Sequence, residues 1–200
     1  MPTSAQTRIT AGEWRGRALV TPKGGTNLRP TTSLVRQALF DILGERIAGA
    51  GFIDLYAGAG TVGFEALSRG AGRATFVERD RAALDCVTAT ARKFQADDRV
   101  STQQADVVAW LRANPRATEA ADVVFMDAPY KDEAGTEAAL RQLGEHPPAL
   151  VVCEHHRARH LRDRYGRLSR VRESTYGATR LTIFQRDDAA HIPPTGEQAD

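Results

Sequence analysis

The sequence has little of several features that would identify its class directly. It holds two cysteines and three lysines among 200 residues, aromatic side chains make up 6%, and no apolar run approaches the roughly 18 residues of a membrane span. Residues 1–8 also have no apolar stretch typical of an export signal, so we expect a cytoplasmic protein. Cys86 and Cys153 each lie inside an apolar segment, which favours two buried reduced thiols over a disulfide or a metal site.

The net charge is also low, at +2, but it is unevenly distributed along the chain. Residues 1–46 hold seven Lys/Arg against three Asp/Glu, residues 47–154 hold 11 against 16, and residues 155–186 hold nine against two. Two basic flanks around an acidic middle predict a surface that binds a polyanion, although an arginine-rich solvated surface would give the same pattern. The candidates for phosphate contacts in the first flank are Arg8, Arg15, Arg17, Arg29 and Arg36.

The middle of the chain alternates short β-like runs with stretches of helical periodicity. This pattern is typical of an α/β fold with a doubly wound parallel sheet. The predicted strands are 51–56, 74–78, 100–102, 122–127 and 150–154, and the predicted helices are 63–69, 81–95, 107–113 and 133–143. Residues 168–173 and 179–186 predict an antiparallel hairpin at one sheet edge, and residues 187–200 a disordered tail.

A glycine motif follows the first predicted strand. Gly58, Gly60 and Gly63 satisfy G-x-G-x-x-G between a strand and a helix, where glycines allow a tight turn, close approach to a nucleoside and close helix packing. Glu78 ends the second strand 20 residues after Gly58, where a carboxylate can accept hydrogen bonds from both ribose hydroxyls. These features fit both nicotinamide and S-adenosylmethionine folds.

Two further acidic residues favour S-adenosylmethionine. Asp54 opens the motif four residues before Gly58, a position more typical of methyltransferases, and Asp106 follows the third strand, where it could meet the adenine amino group or cap a helix. The candidate cofactor-binding residues are Asp54, Tyr56, Gly58, Gly60, Gly63, Glu78 and Asp106.

The segment Asp127, Ala128, Pro129 and Tyr130 carries the strongest indication of chemistry. It ends the fourth strand, and ligands of open α/β sheets bind at strand carboxyl ends. The Tyr130 ring can stack on a flat base while Asp127 and the Ala128 carbonyl accept hydrogens from an exocyclic amine. Withdrawing those hydrogens frees the amine lone pair to attack an electrophilic methyl group, which predicts amino methylation.

The chain resembles the bacterial 16S rRNA guanine-N2 methyltransferases of the small-subunit methyltransferase D type. The resemblance is carried by residues 8–17, 28–32, 35–40, 63–71, 77–80, 127–130 and 176–181. It implies a Rossmann-like, seven-stranded class I methyltransferase sheet with helices on both faces, and a small N-terminal β-hairpin that helps to grip RNA. The implied division is an RNA-gripping extension over 1–30, a methyltransferase domain over 31–186 and a tail over 187–200, with 16S rRNA or the small ribosomal subunit as partner of a monomer.

The chain departs from the family pattern at four positions. Ala128 stands where the family usually has the first of two prolines, and Ser33, Gln37 and Asp41 replace an acid, a glutamate and an asparagine. Three hypotheses therefore stay open: an active RNA guanine-N2 methyltransferase, a catalytically weakened RNA-binding or ribosome-assembly paralogue, and a nicotinamide-dependent oxidoreductase.

Overall fold

The fold is an eight-stranded sheet with helices on both faces. A computed structural model describes residues 7–22 and 32–189. Its strands are β1 (Gly51–Leu55), β2 (Arg73–Glu78), β3 (Val100–Gln104), β4 (Val123–Met126), β5 (Leu150–His156), β6 (Arg164–Tyr165), β7 (Leu168–Tyr176) and β8 (Thr179–Arg186). Its helices are α1 (Ser33–Leu43), α2 (Thr61–Ser68), α3 (Arg81–Phe94), α4 (Val107–Ala113), α5 (Pro115–Glu119) and α6 (Glu133–Glu145).

The sheet changes direction of winding at its centre. The strand order is β3-β2-β1-β4-β5-β8-β7-β6, with β1 to β5 parallel and β8 antiparallel to β5. One face packs on α1, α2 and α3, and the other on α4 and α6. Because the order reverses between β1 and β4, the carboxyl ends of these strands flank a crevice, and such a crevice is where α/β folds bind ligands.

The α/β class and its parallel order are confirmed, whereas residues 7–22 and 32–189 form eight strands instead of the expected seven. The additional strand, β6, is two residues long and pairs with β7, so it leaves too short a pattern for a sequence prediction. The predicted hairpin forms as β7 and β8, but β8 lies inside the sheet between β5 and β7. Helices α1 and α5 were not predicted from periodicity.

The first residues of the predicted tail, 187–189, are ordered, which corrects the prediction of disorder there. Asp187 accepts a hydrogen bond from Ser169 Oγ at 2.7 Å and forms an ion pair with Arg164, so this part of the chain packs against β6 and β7. The Ala189 amide donates a hydrogen bond to the Arg186 carbonyl at 2.9 Å. Residues 190–200 lie outside the described residues, as do residues 1–6 and 23–31.

The N-terminal segment, residues 7–22, folds back on itself and packs on the sheet's helices. It contains one isolated antiparallel bridge, between Arg8 and Ala18, in place of the two regular strands expected of a β-hairpin. Trp14 is 2% exposed and stacks at 4.8 Å between ring centroids on Phe94 of α3. Its backbone amide donates to Ser68 Oγ at 2.9 Å, so the segment shares a core with the domain.

The structure also bears on the cysteines, on membrane-spanning helices and on metal-binding groups. Cys86 and Cys153 are both free and buried, as predicted. Within residues 7–22 and 32–189, none of the helices is long and apolar enough to cross a bilayer. Among those same residues, no group of His, Cys, Asp and Glu side chains is arranged to hold a metal ion.

Candidate active site

Four carboxylates lie at the carboxyl ends of four adjacent strands. Glu78 ends β2, Asp54 lies in β1, Asp127 directly follows β4 and Glu154 lies in β5, and we call these four residues the carboxylate row. Side chains alternate between the faces of a strand, so Asp54 shares its face with Phe52. Its register partners are Phe76 and Phe125, and Glu78 and Asp127 lie on the same face two positions further along, as does Glu154 beyond Val152. The winding of the sheet thus brings together acids that are up to 100 residues apart.

Asp54 is the most enclosed member of the row. Its side chain is 2% exposed, and its Oδ2 accepts a hydrogen bond from the Gly63 amide at 2.8 Å. The pKa of Asp54 is raised to about 8, mainly by burial and to a smaller extent by the charge of Glu78, while the bond from Gly63 acts in the opposite direction. A positively charged group placed beside Asp54 would lower that pKa.

Asp127 has the same electrostatic character. It is partly buried, and its pKa is raised well above the usual range by burial and then by the charges of Glu154 and Asp54. Three members of the row therefore act on one another at short range. The arrangement attracts cations and disfavours anions.

The glycine motif forms the turn between β1 and α2. Tyr56, Gly58 and Gly60 have positive φ angles of 60°, 53° and 81°, which bend the chain sharply at the edge of the sheet. A Cβ on Gly63 would lie 2.3 Å from the Phe76 ring, so this glycine lets α2 pack closely on β2. A Cβ on Gly60 would lie 2.9 Å from the same ring.

Glu78 is oriented by the backbone on either side of it. Its Oε2 accepts a hydrogen bond from the Gly58 amide at 3.0 Å, and its Oε1 accepts one from the Asp80 amide at 2.9 Å. The structure thus brings Glu78 and the glycine turn together, as their spacing of 20 residues predicts. Each carboxylate oxygen has a second lone pair with which to accept a hydrogen bond from a ligand.

The two remaining cofactor candidates, Tyr56 and Asp106, lie on the α4 side of the sheet. Asp106 caps α4, its Oδ1 accepting a hydrogen bond from the Ala109 amide at 3.0 Å. The Tyr56 ring packs against the core on the α4 side of the sheet. Burial raises the pKa of Tyr56 to about 12, and the charges of Asp132 and Asp106 contribute, so these acids are neighbours of its hydroxyl.

The segment 127–130 connects β4 to α6 and lies beside the row. Ala128 is 3% exposed, whereas Pro129 is exposed. The Tyr130 hydroxyl lies 3.2 Å from Thr179 Oγ1, and its ring meets the His156 ring edge-on with centroids 5.6 Å apart. The end of β5 and the start of β8 therefore lie against the Tyr130 side chain.

Sequence reasoning missed several residues of this site. Glu154, His156, Arg159 and Thr179 all contribute to it, and none was among the predicted residues. One signal was available: Glu154 and two histidines end a strand that is otherwise apolar, at the same edge as Asp127. The contribution of Thr179 depends on the antiparallel pairing of β8 with β5, which the sequence does not specify.

The predicted phosphate-binding arginines are not all available. Arg8, Arg15 and Arg17 are exposed, although the Arg17 guanidinium lies over the Phe94 ring at 4.4 Å. Arg36 is 3% exposed, and its Nε lies 3.2 Å from Glu65 Oε2. The prediction that Arg36 contacts phosphate is therefore wrong, because a guanidinium buried in an ion pair cannot reach RNA. Arg29 lies outside the described residues.

Comparison with known proteins assigns the chain to a family. Residues 7–185 match the model of the family described as "Conserved hypothetical protein 95". The chain belongs to this family. The small-subunit methyltransferase D resemblance found in the sequence is thereby confirmed, and so is the class of the enzyme, a methyltransferase.

Individual relatives agree with this assignment. The chain is 31% identical over 183 residues to a Bacillus subtilis protein named "Putative rRNA methyltransferase YlbH", covering 90% of this chain and 98% of the relative. It is 38% identical over 129 residues to the Ribosomal RNA small subunit methyltransferase D of Escherichia coli, covering 64% of this chain and 62% of the relative. A solved structure titled "Putative methyltransferase yhhF", also from Escherichia coli, superimposes with a TM-score of 0.78 and 29% identity, covering 91% of this chain and 98% of the other.

Proposed function

We propose that this enzyme transfers a methyl group from S-adenosylmethionine to the exocyclic N2 of a guanine in 16S ribosomal RNA. The observation that carries the proposal is the position of Tyr130 and Asp127 at the sheet edge that also holds Asp54 and Glu78. A stacking ring and a hydrogen-bond acceptor thus adjoin the carboxylate row. Two relatives named as rRNA methyltransferases support the choice of RNA, and one of them is named for the small subunit.

The charge of the carboxylate row fits S-adenosylmethionine better than a nicotinamide dinucleotide. S-adenosylmethionine carries a sulfonium and an ammonium group, and a positive charge beside Asp54 and Asp127 would offset the burial and the neighbouring carboxylates that raise their pKa values. A pyrophosphate would meet these same acids with the wrong sign. Glu78 would hold the ribose hydroxyls, and Asp106 would lie near the adenine while it caps α4.

The reaction requires the protein to make a weakly nucleophilic amine attack. When bound, the cofactor supplies an electrophilic methyl group. Tyr130 stacks on the base, and Asp127 and the Ala128 carbonyl accept the two amine hydrogens, which turns the nitrogen lone pair out of conjugation with the base. The ionised Asp127 carboxylate that accepts an amine hydrogen can also take the proton that the amine loses after transfer.

RNA would reach this site across two basic surfaces. Arg8, Arg15 and Arg17 are exposed on the N-terminal segment, and Arg157 is exposed beside Gly177 in the β7–β8 loop, next to the end of β5. Phosphate contacts from such residues position RNA without reading its sequence. We expect the enzyme to act as a monomer in the cytoplasm.

The experiment is single-turnover transfer of labelled methyl from S-adenosylmethionine to small-subunit particles, to naked 16S rRNA and to large-subunit rRNA as control. Product nucleosides are identified by mass spectrometry. N2-methylguanine from the small-subunit substrates alone is the expected result. Any other methylated nucleoside refutes the guanine N2 assignment, and equal labelling of the large-subunit control refutes the 16S assignment. Cofactor binding without transfer would instead support the catalytically weakened paralogue.

A further inference from the structure

Arg159 lies in the connection between β5 and β6 and is largely withdrawn from solvent. Its side chain is 11% exposed. Its Nη2 donates a hydrogen bond to the Tyr130 carbonyl at 3.1 Å, and its Nη1 donates one to Thr136 Oγ1 at 2.6 Å. Burial of a guanidinium is unfavourable unless its N–H groups find partners, and here one partner, the Tyr130 carbonyl, belongs to the candidate site.

The second partner connects Arg159 to the start of α6. Thr136 is 1% exposed, and its hydroxyl donates to the Asp132 carbonyl at 2.7 Å while it accepts from Arg159. Asp132 caps α6, because its Oδ1 accepts a hydrogen bond from the Gly135 amide at 2.8 Å. Arg159 therefore ties the Tyr130 carbonyl to the first turn of a helix whose own end is fixed.

The Tyr130 ring thus has supports on two sides. On the strand side, its hydroxyl contacts Thr179 of β8 and its ring contacts His156 of β5. On the helix side, its carbonyl is held by Arg159. In the segment from 127 to 132, Pro129 alone has a φ fixed by its ring. The direction of the Tyr130 ring therefore depends on hydrogen bonds as well as on covalent geometry.

We propose that Arg159 is a positioning residue for methyl transfer. It holds the main chain at Tyr130 so that the ring, and the base stacked on it, keep a fixed position relative to the methyl donor. The inference rests on the proposed function, in which Tyr130 stacks on the base. Arg159 touches neither substrate nor cofactor in this account, so its loss should slow transfer without weakening cofactor binding.

The test compares Arg159→Lys and Thr136→Val with a matched control. Lysine keeps the charge but cannot reach two acceptors with a planar fork, and valine removes the second anchor while it keeps the shape. The control is Arg162→Gln on the same connection, where the side chain is 62% exposed and pairs with Glu137 at 2.9 Å.

We expect Arg159→Lys to lower the single-turnover transfer rate about 10- to 100-fold, the range for slight misplacement of a reacting group, and Thr136→Val to lower it less. Affinity for S-adenosylmethionine, measured by calorimetry, should stay within about twofold of the wild type. Arg162→Gln should leave both quantities unchanged. An unchanged transfer rate in Arg159→Lys, or a loss of rate matched by an equal loss of cofactor affinity, overturns the proposal.

A double-mutant cycle separates positioning from a general structural role. If Arg159 acts through the ring, Arg159→Lys should change the rate less than about twofold when Tyr130 is already alanine. An equal effect of Arg159→Lys in both backgrounds contradicts the proposal.

A second readout needs no RNA. With 3-fluorotyrosine incorporated and the Tyr130 signal assigned from Tyr130→Phe, Arg159→Lys should shift and broaden that fluorine resonance while the Tyr165 resonance stays in place. If the wild type methylates another nucleoside but the fluorine signal behaves as expected, the proposed substrate fails and the anchoring of Tyr130 stands. An unaltered Tyr130 signal overturns the anchoring itself.

Discussion

The carboxylate of Asp54 accepts a hydrogen bond from the backbone amide of Gly63, at 2.8 Å and with the acid 2% exposed. This bond joins the end of β1 to the first turn of α2 and fixes the glycine turn between them. It opposes the larger effect of burial, which raises the pKa of Asp54 to about 8. The site thus contains an acid whose ionisation is unfavourable until a cation lies beside it.

Asp54 should make the stability of the free protein depend on pH. Its folded pKa is above its unfolded value of about 3.9, so the folded state holds an extra proton between these values, and stability falls as pH rises toward 8. Asp54→Asn keeps an oxygen for the Gly63 amide but has no charge. We expect the midpoint of thermal unfolding of this variant to exceed the wild-type value by a margin that grows from pH 5 to pH 8 and stays constant above pH 8. Each kcal/mol of difference in the free energy of unfolding corresponds to about 2 to 4 °C.

The measurement is thermal unfolding at half-unit pH steps without ligand. Asp98→Asn serves as control, because Asp98 is exposed in a short 3-10 helix. Parallel pH profiles for wild type and Asp54→Asn would show that Asp54 ionises normally.

A second prediction concerns Glu78 and the cofactor. Glu78→Ala should weaken S-adenosylmethionine binding by about 1.5 to 3 kcal/mol, the usual value for hydrogen bonds to a charged group. Part of that loss would come from the Gly58 turn, which Glu78 also holds. Glu78→Gln keeps one acceptor oxygen and should lose less.

Calorimetry with S-adenosylmethionine and with NAD measures both variants against the wild type. Unchanged affinity in Glu78→Ala would remove Glu78 from the cofactor site. Tighter binding of NAD than of S-adenosylmethionine by the wild type would refute the assigned cofactor.

The fold and the site were predictable to different degrees. The strands and the glycine turn follow from local patterns, because apolar runs and glycines at fixed spacing determine them within about ten residues. The same reasoning could not place Arg36, whose burial depends on Glu65 of α2. One hint was present: Arg36 shares the helical face of Val35, Leu39 and Phe40, so it lies on the stripe that packs on the core.

The same limit explains the residues missed around Tyr130. Arg159 and Thr179 reach it only because the chain returns through β5 and β8, whose antiparallel pairing is set by tertiary packing. Residue spacing along the chain contains no record of that contact.

The third prediction contrasts exposed and buried arginines of the first basic flank. Neutralising Arg15 and Arg17 together should lower the slope of log binding constant against log salt by about one to two units and leave cofactor affinity intact. Arg36→Gln should leave that slope unchanged but destabilise the fold by about 1.5 to 3 kcal/mol, because Glu65 loses one of its two buried arginine partners and keeps only Arg69, at 2.9 Å.

RNA binding from 50 to 300 mM salt and denaturant unfolding provide the two readouts. An unaltered slope in the Arg15 and Arg17 double variant would mean that the N-terminal segment serves only to pack on the domain. A reduced slope in Arg36→Gln, with the fold intact, would return Arg36 to the RNA surface.

The last prediction separates the roles of Asp127 and Tyr130 in the transfer step. Asp127→Ala should lower kcat by about 10²- to 10³-fold, as for loss of one well-placed partner in a transition state, and should leave RNA affinity nearly unchanged. Tyr130→Ala should weaken productive RNA binding by about 1 to 3 kcal/mol and also slow transfer, because a stacking surface is lost. Tyr130→Phe keeps the ring but loses the hydroxyl contact with Thr179, which is 3.2 Å long in the structure. It should therefore weaken productive RNA binding by only about 0.5 to 1.5 kcal/mol. Single-turnover rates at saturating S-adenosylmethionine, measured over a range of RNA concentrations, resolve binding from transfer for each variant.

Full activity of Asp127→Ala would remove Asp127 from the mechanism. Equal losses in Tyr130→Phe and Tyr130→Ala would assign the role of Tyr130 to its hydroxyl and not to stacking.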